Sequence, residues 1–302
     1  MSAAALHFDG RVAVITGAGR GIGRAHALLL AARGASLVVN DLGSSVKGDG
    51  SDTDPAASVV ASIVSSGGTA IADTNDVSSE AGAQALIDAA VSEYGRIDVL
   101  INNAGIVRWA GMPDVDFENL AVHLGVHVGG SFNTARSAWP HMVSQGYGRI
   151  VMTTSSGVFG LPNNTSYAAA KGAVIGLMRS LATAGVRNGI KVNAIAPAAA
   201  TRMGGDVDDA AMSADLVAPM AAYLAHEDCP VSGEIYAAGA GRFTRIFLGE
   251  TAGYVAATPT IEDVAANWAV INDTSTFEIP ADLMSWSARF LSHLRADPAE
   301  PE

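Results

Sequence analysis

The chain has one cysteine, Cys229, so no disulfide can form within it and no cysteine cluster can hold a metal. Basic residues are few as well. Eighteen lysines and arginines stand against 30 aspartates and glutamates, a net charge of −12. That balance excludes a general nucleic-acid or anionic-membrane surface and leaves only local basic pockets. Just three residues are lysine: Lys47, Lys171 and Lys191. No run of 18 apolar residues exists, so no membrane span is expected. The opening MSAAALHFDGRVAVITG lacks the basic-then-apolar order of a signal peptide. The expectation is a soluble, cytoplasmic protein without a metal centre.

What the chain does have is a large apolar fraction. Hydrophobic residues make up 49% of its 302 positions, charged ones only 16%, which suits a well-buried core. Short apolar runs at 11–16, 35–41, 69–76, 97–105, 148–156, 190–197 and 233–239 read as buried strands. Ala-rich helical patterns lie between them, with Gly34 and Gly95 where helix stops belong. This alternation predicts a doubly wound (Rossmann) α/β fold with a parallel sheet of about seven strands. The polar stretch 43–55 reads as a surface loop. The alternation stops near residue 240. Residues 1–240 are therefore expected to form the core, and 241–302 a helical C-terminal extension of the same domain, with helices over 258–273 and 280–294.

The first strand runs into TGAGRGIGRAHALLL, with glycines at 17, 19, 21 and 23. Glycine allows a tight turn and close approach to a pyrophosphate, and the following helix offers free N–H groups and its positive end. The G-x-G-x-x-G spacing does not fit, because Ile22 falls on its last position. Asp41 closes the second strand, 18 residues after Gly23. A carboxylate there can bond both ribose hydroxyls of an adenosine and repels a 2′-phosphate, which predicts NAD over NADP. A solvated turn aspartate is the alternative. Asp76, after the third strand, is expected near the adenine.

Tyr167 and Lys171 are one helical turn apart. Six tyrosines and three lysines in this length give about 0.06 chance pairs at that spacing. A free phenol has a pKa of about 10, too high for a base near neutrality. An ammonium beside it favours the phenolate, and two to three units of depression correspond to about 3–4 kcal/mol. Tyr167 is thus expected to act as a general base, with Ser155 or Ser156 at the end of the preceding strand holding a substrate hydroxyl.

Together, Thr16-Gly17-x-x-x-Gly21-x-Gly23, Asn102-Asn103-Ala104-Gly105, Ser155 and Tyr167-x-x-x-Lys171 resemble the short-chain dehydrogenase/reductases, over residues 8 to about 240. The resemblance implies that Tyr167 is the acid/base. It implies that Lys171 tunes Tyr167 and binds the nicotinamide ribose, and that Ser155 orients the substrate oxygen. Its cofactor set would include Gly17, Arg20, Gly21, Ile22, Gly23, Asp41, Asp76, Val77, Asn103, Ala104, Gly105, Pro197 and Thr201, besides Tyr167 and Lys171. His127 stands where most members carry an asparagine in a proton relay, and could serve by side chain or by backbone carbonyl. VVNDLG, VHVGGSF, GRIVMTTSS, APAAATRM and TPTIEDVAANW are similar to the (3R)-hydroxyacyl-CoA dehydrogenase domain of peroxisomal multifunctional enzymes and their bacterial single-domain relatives. GLPNNTSY is one residue shorter than the matching stretch there, so Ser155 is taken by counting six from Arg149 on the strand. The implied substrate is a 3-hydroxyacyl-CoA, with Arg20, Arg24 and Arg108 as candidates for its phosphates. A free hydroxysteroid or other apolar secondary alcohol is the alternative, and an NAD-binding protein without turnover a further one. Residues 203–212 are expected to line the substrate pocket. A homodimer or homotetramer is expected by analogy.

Overall fold

A computed structural model describes residues 5–203 and 209–294. The chain forms two compact units, Met1–Arg245 and Ile246–Glu302. In the first, strands β1 (Val12–Thr16), β2 (Ser36–Asn40), β3 (Thr69–Asp73), β4 (Val99–Asn102), β5 (Gly148–Thr153), β6 (Ile190–Pro197), β7 (Ile235–Gly239) and β8 (Arg242–Ile246) form one sheet in the order β3-β2-β1-β4-β5-β6-β7-β8. Pairing is parallel from β3 through β7. Every residue of β1, β4 and β5 is buried, as a sheet covered on both faces requires.

The covering helices are α1 (Gly21–Ala32), α2 (Asp54–Ser65), α3 (Glu80–Tyr94), α4 (Phe117–His123), α5 (Gly130–Gln145), α6 (Thr165–Gly185) and α7 (Ala218–Ala225). The crossovers from β1 and β4 run to opposite sides of the sheet. Their carboxyl ends therefore part at the β1/β4 junction, which opens a cleft there.

The eighth strand was not expected. Ala240 (φ 49°) and Gly241 (φ 72°) make a two-residue hairpin turn after β7, so β8 returns antiparallel. Its exposed edge is charged, and Arg245 grips Glu234 through two hydrogen bonds of 2.7 and 2.8 Å.

In the second unit, β9 (Glu250–Thr251) pairs antiparallel with β10 (Phe277–Glu278). The helix expected over 258–273 is two shorter ones. Thr260 and Asp263 form a reciprocal cap that opens α8 (Ile261–Ala266). The Asn267 amide then donates to the Asp263 carbonyl at 2.8 Å, the helix breaks, and α9 (Trp268–Ile271) restarts. Asp282 caps α10 (Leu283–Phe290), inside the expected 280–294. Among the described residues no helix is long and apolar enough to cross a membrane.

Candidate active site

A cleft of about 620 Å³ lies at the carboxyl ends of the strands. The turn between β1 and α1 forms its floor. Gly17 sits at φ 62°, and a Cβ on it would lie 2.8 Å from the Ala104 Cα, so only glycine lets the two loops close together. Asn103 ties them by donating to the Thr16 and Gly17 carbonyls at 3.1 and 2.9 Å. The N-cap residue Arg20 makes no side-chain cap bond, and Gly21 and Ile22 line the cleft, so the amino end of α1 is open to an anion. Gly23 does not line the cleft. A Cβ there would strike the Gly17 carbonyl at 2.2 Å, so this glycine serves the packing of the turn.

Asp41 follows β2 and lines the same wall. Its carboxylate accepts from the Gly19 and Gly43 N–H groups at 2.8 and 2.7 Å, which fixes its direction and leaves lone pairs for a diol. Asp76 and Val77 line the wall too, three and four residues beyond β3, which ends at Asp73 rather than at 76. Ala104, Gly105, Pro197 and Thr201 complete this side.

The 43–55 stretch is not a free surface loop. Its carbonyls at Val46 and Lys47 accept from the Val107 N–H and the Arg108 guanidinium at 3.0 and 2.8 Å, and Ser44, Ser45, Val46 and Gly48 line the cleft. Two of the arginines expected for CoA phosphates are engaged by this loop. Arg108 pairs with Asp49 at 3.3 Å, and Arg20 with Asp52 at 3.6 Å.

Ser155, Tyr167 and Lys171 converge. Ser155 leaves β5, its hydroxyl accepts from the Gly157 N–H at 3.0 Å and lines the cleft with Tyr167, while Ser156 is exposed. The Lys171 ammonium donates to the Thr153 carbonyl at 2.7 Å and lies 5.5 Å from the Tyr167 ring centre. The Thr154 hydroxyl donates to the Lys171 carbonyl at 2.8 Å, pinning α6 to the end of β5. The expected depression of the phenol pKa is not what the packing gives. Burial pushes Tyr167 up, and the neighbouring Ser155 hydroxyl offsets only part of it. Burial also lowers Lys171 to about 7.

His127 lies in a π-helical turn, Leu124–Gly129, between α4 and α5. Its Nε2 lies 2.9 Å from the Ile106 carbonyl and 3.4 Å from the Ile106 backbone nitrogen; the shorter contact assigns the proton to Nε2, and Nδ1 has no partner. The ring stacks on His123 (centroids 5.9 Å apart) and meets the Tyr167 ring edge-on at 5.3 Å. Burial, then the Lys171 charge, hold its pKa well below the usual histidine value. The ring is neutral, and its own backbone carbonyl accepts from the Ser131 hydroxyl at 2.7 Å. Gly105 is a glycine because a Cβ would press on this ring at 2.6 Å.

The model of the short chain dehydrogenase family matches residues 11–211. The chain belongs to that family. A short-chain type dehydrogenase/reductase of Mycobacterium tuberculosis is 42% identical over 89% of this chain and 96% of that one. Peroxisomal multifunctional enzyme type 2 of Mus musculus is 42% identical over 92% of this chain but only 39% of its own length. This short-chain dehydrogenase thus spans less than half of that relative. Among solved structures, full-length peroxisomal multifunctional enzyme type 2 from Drosophila melanogaster superposes with a TM-score of 0.80 and 34% identity, covering 96% of this chain and 50% of that one. A 7α-hydroxysteroid dehydrogenase complexed with NADH and 7-oxo glycochenodeoxycholic acid gives a TM-score of 0.70 and 31% identity, covering 78% of this chain and 95% of that one.

Several lining residues of this short-chain dehydrogenase were not expected: Trp109, Thr153, Leu161 and Asn164. Trp109 and Leu161 are half exposed and make an apolar rim beside Tyr167. Of the expected lining segment 203–212, Met203 lines the cleft and 204–208 lie outside the described residues.

Proposed function

We propose that this chain is an NAD-dependent dehydrogenase of secondary alcohols whose substrate is a 3-hydroxyacyl thioester. The observation that carries the reaction is the convergence of Ser155, Tyr167 and Lys171 on one cleft, with Lys171 buried one turn along α6 from Tyr167. The cofactor wall fits a dinucleotide: an uncapped helix amino end for the pyrophosphate and a fixed carboxylate at Asp41 for the adenosine ribose. When bound, NAD supplies the hydride acceptor. The Ser155 hydroxyl holds the substrate oxygen. The Tyr167 oxygen takes the hydroxyl proton as the carbinol carbon gives up its hydride, leaving a ketone. Lys171, anchored on Thr153 beside the Tyr167 ring, would offer its Nζ as a donor to the nicotinamide ribose when the cofactor is bound. His127, neutral and locked by Ile106, braces the Tyr167 ring.

The thioester reading is supported by the likeness to the multifunctional enzymes, which runs through 96% of the chain in the solved fly structure. A free hydroxysteroid is the second reading, supported by the steroid-dehydrogenase neighbour, whose likeness covers 78%. Steady-state assay with NAD of medium-chain and steroid-side-chain 3-hydroxyacyl-CoAs against free hydroxysteroids separates the two. Tyr167→Phe should remove turnover by about 10³-fold or more while leaving NAD binding intact. Turnover that survives this change defeats the mechanism.

A further inference from the structure

Asn164 is the N-cap residue of α6. Asparagine is favoured there because its side-chain oxygen accepts from the first free N–H groups of the helix. Asn164 makes no such bond. Its residue is only 3% exposed, it lines the cleft, and its Oδ1 has no hydrogen-bond partner. A buried, unpaired amide oxygen costs about 1–3 kcal/mol. The side chain has left the position where it would stabilise its own helix.

What it faces instead is defined by Gly157. The point a Gly157 Cβ would occupy lies 2.7 Å from the Asn164 Nδ2, 3.3 Å from the Ser155 Oγ and 3.5 Å from the Tyr167 Cε1. The carboxamide, the serine hydroxyl and the tyrosine ring thus border one gap, and Gly157 keeps it open. Of the three atoms nearest that point, the Asn164 Nδ2 is the one amide donor beside the serine hydroxyl.

We propose that Asn164 is a specificity-determining residue whose carboxamide N–H donates to a carbonyl oxygen two carbons from the carbinol, the acyl carbonyl of a 3-hydroxyacyl thioester. With the substrate hydroxyl on Ser155 and Tyr167, a carbonyl one methylene further falls to the adjacent donor. A simple alcohol has nothing to place there. The assignment rests on the thioester reading above.

The test compares Asn164→Leu with wild type on two probes: the N-acetylcysteamine thioester of 3-hydroxyoctanoate, and 2-octanol, which keeps the carbinol and chain but has no carbonyl. The thioester should lose about tenfold or more in kcat/KM, with 2-octanol within about twofold. Asn164→Gln should recover part of the loss. Because Asn164 makes no cap bond, circular dichroism should be unchanged; Asn164→Ala carries the same comparison if leucine perturbs the fold. Equal losses on both probes overturn the assignment while leaving the thioester reading in place. A wild-type enzyme that oxidises 2-octanol and not the thioester overturns the substrate reading, and this assignment with it.

Discussion

His26 sits on the buried face of α1, the helix that follows the glycine turn. Both ring nitrogens are buried without a partner, and burial pushes its pKa from 6.5 down to about 4. The folded protein therefore holds His26 neutral. In the unfolded chain the ring takes up a proton below about pH 6.5. Stability is thus fully present above pH 6.5 and is lost as pH falls toward 4, because only the unfolded state binds the proton. The full drop corresponds to about 3 kcal/mol, of which about 2 kcal/mol is gone by pH 5. In a wild-type and His26→Leu pair, urea unfolding followed by circular dichroism at pH 7.5 and 5.0, at fixed protein concentration, isolates this one group. The wild type should lose about 2 kcal/mol more than the variant between the two pH values. At pH 7.5 the leucine variant should be at least as stable, since it removes two unpaired nitrogens at similar volume. Parallel losses in the two proteins would refute the reasoning.

Asp41→Ala should narrow the preference for NADH over NADPH by about tenfold or more, read by fluorescence titration with both; an unchanged ratio removes Asp41 from the choice. Gly23→Ala places a Cβ 2.2 Å from the Gly17 carbonyl, so it should weaken NADH binding at least tenfold, measured by the same titration. Burial holds the Tyr167 phenol above its ordinary value near 10 and lowers Lys171 to about 7, so above the lysine's titration kcat/KM for alcohol oxidation should rise about tenfold per pH unit from pH 8 to 10, while ketone reduction, which uses the phenol, stays flat. A plateau in oxidation below pH 9 would show that something stronger than burial sets the phenol.

All seven strands read from apolar runs are present, because strands buried on both faces carry that signal continuously along their length. Their ends were read too long, most clearly at 69–76 and 97–105, where β3 stops at Asp73 and β4 at Asn102. Past β3 the reading ran through Thr74, Asn75 and Asp76, and past β4 through Asn103, Ala104 and Gly105, loop residues beyond the last ladder bond, most of which line the cleft. β8 escaped for another reason. It is an edge strand with three of five positions polar, and its pairing depends on a turn at Ala240, a residue with no preference for positive φ.

The Tyr167–Lys171 pair shows where the limit lies in the site. Spacing on one helix face put the two side chains together, and a Coulomb argument from that spacing contains only the attraction between ammonium and phenolate. Burial acts on both members at once and disfavours both charges: it raises Tyr167 and lowers Lys171 to about 7. Nothing in Tyr-x-x-x-Lys says that the lysine nitrogen will settle on the Thr153 carbonyl, 2.7 Å away, rather than on the phenol oxygen. The same holds for Asn164, which stands at the N-cap of α6 and is revealed only by a cap bond it does not make. Spacing decides which groups can meet; the packing around them decides their protonation and the direction in which they point.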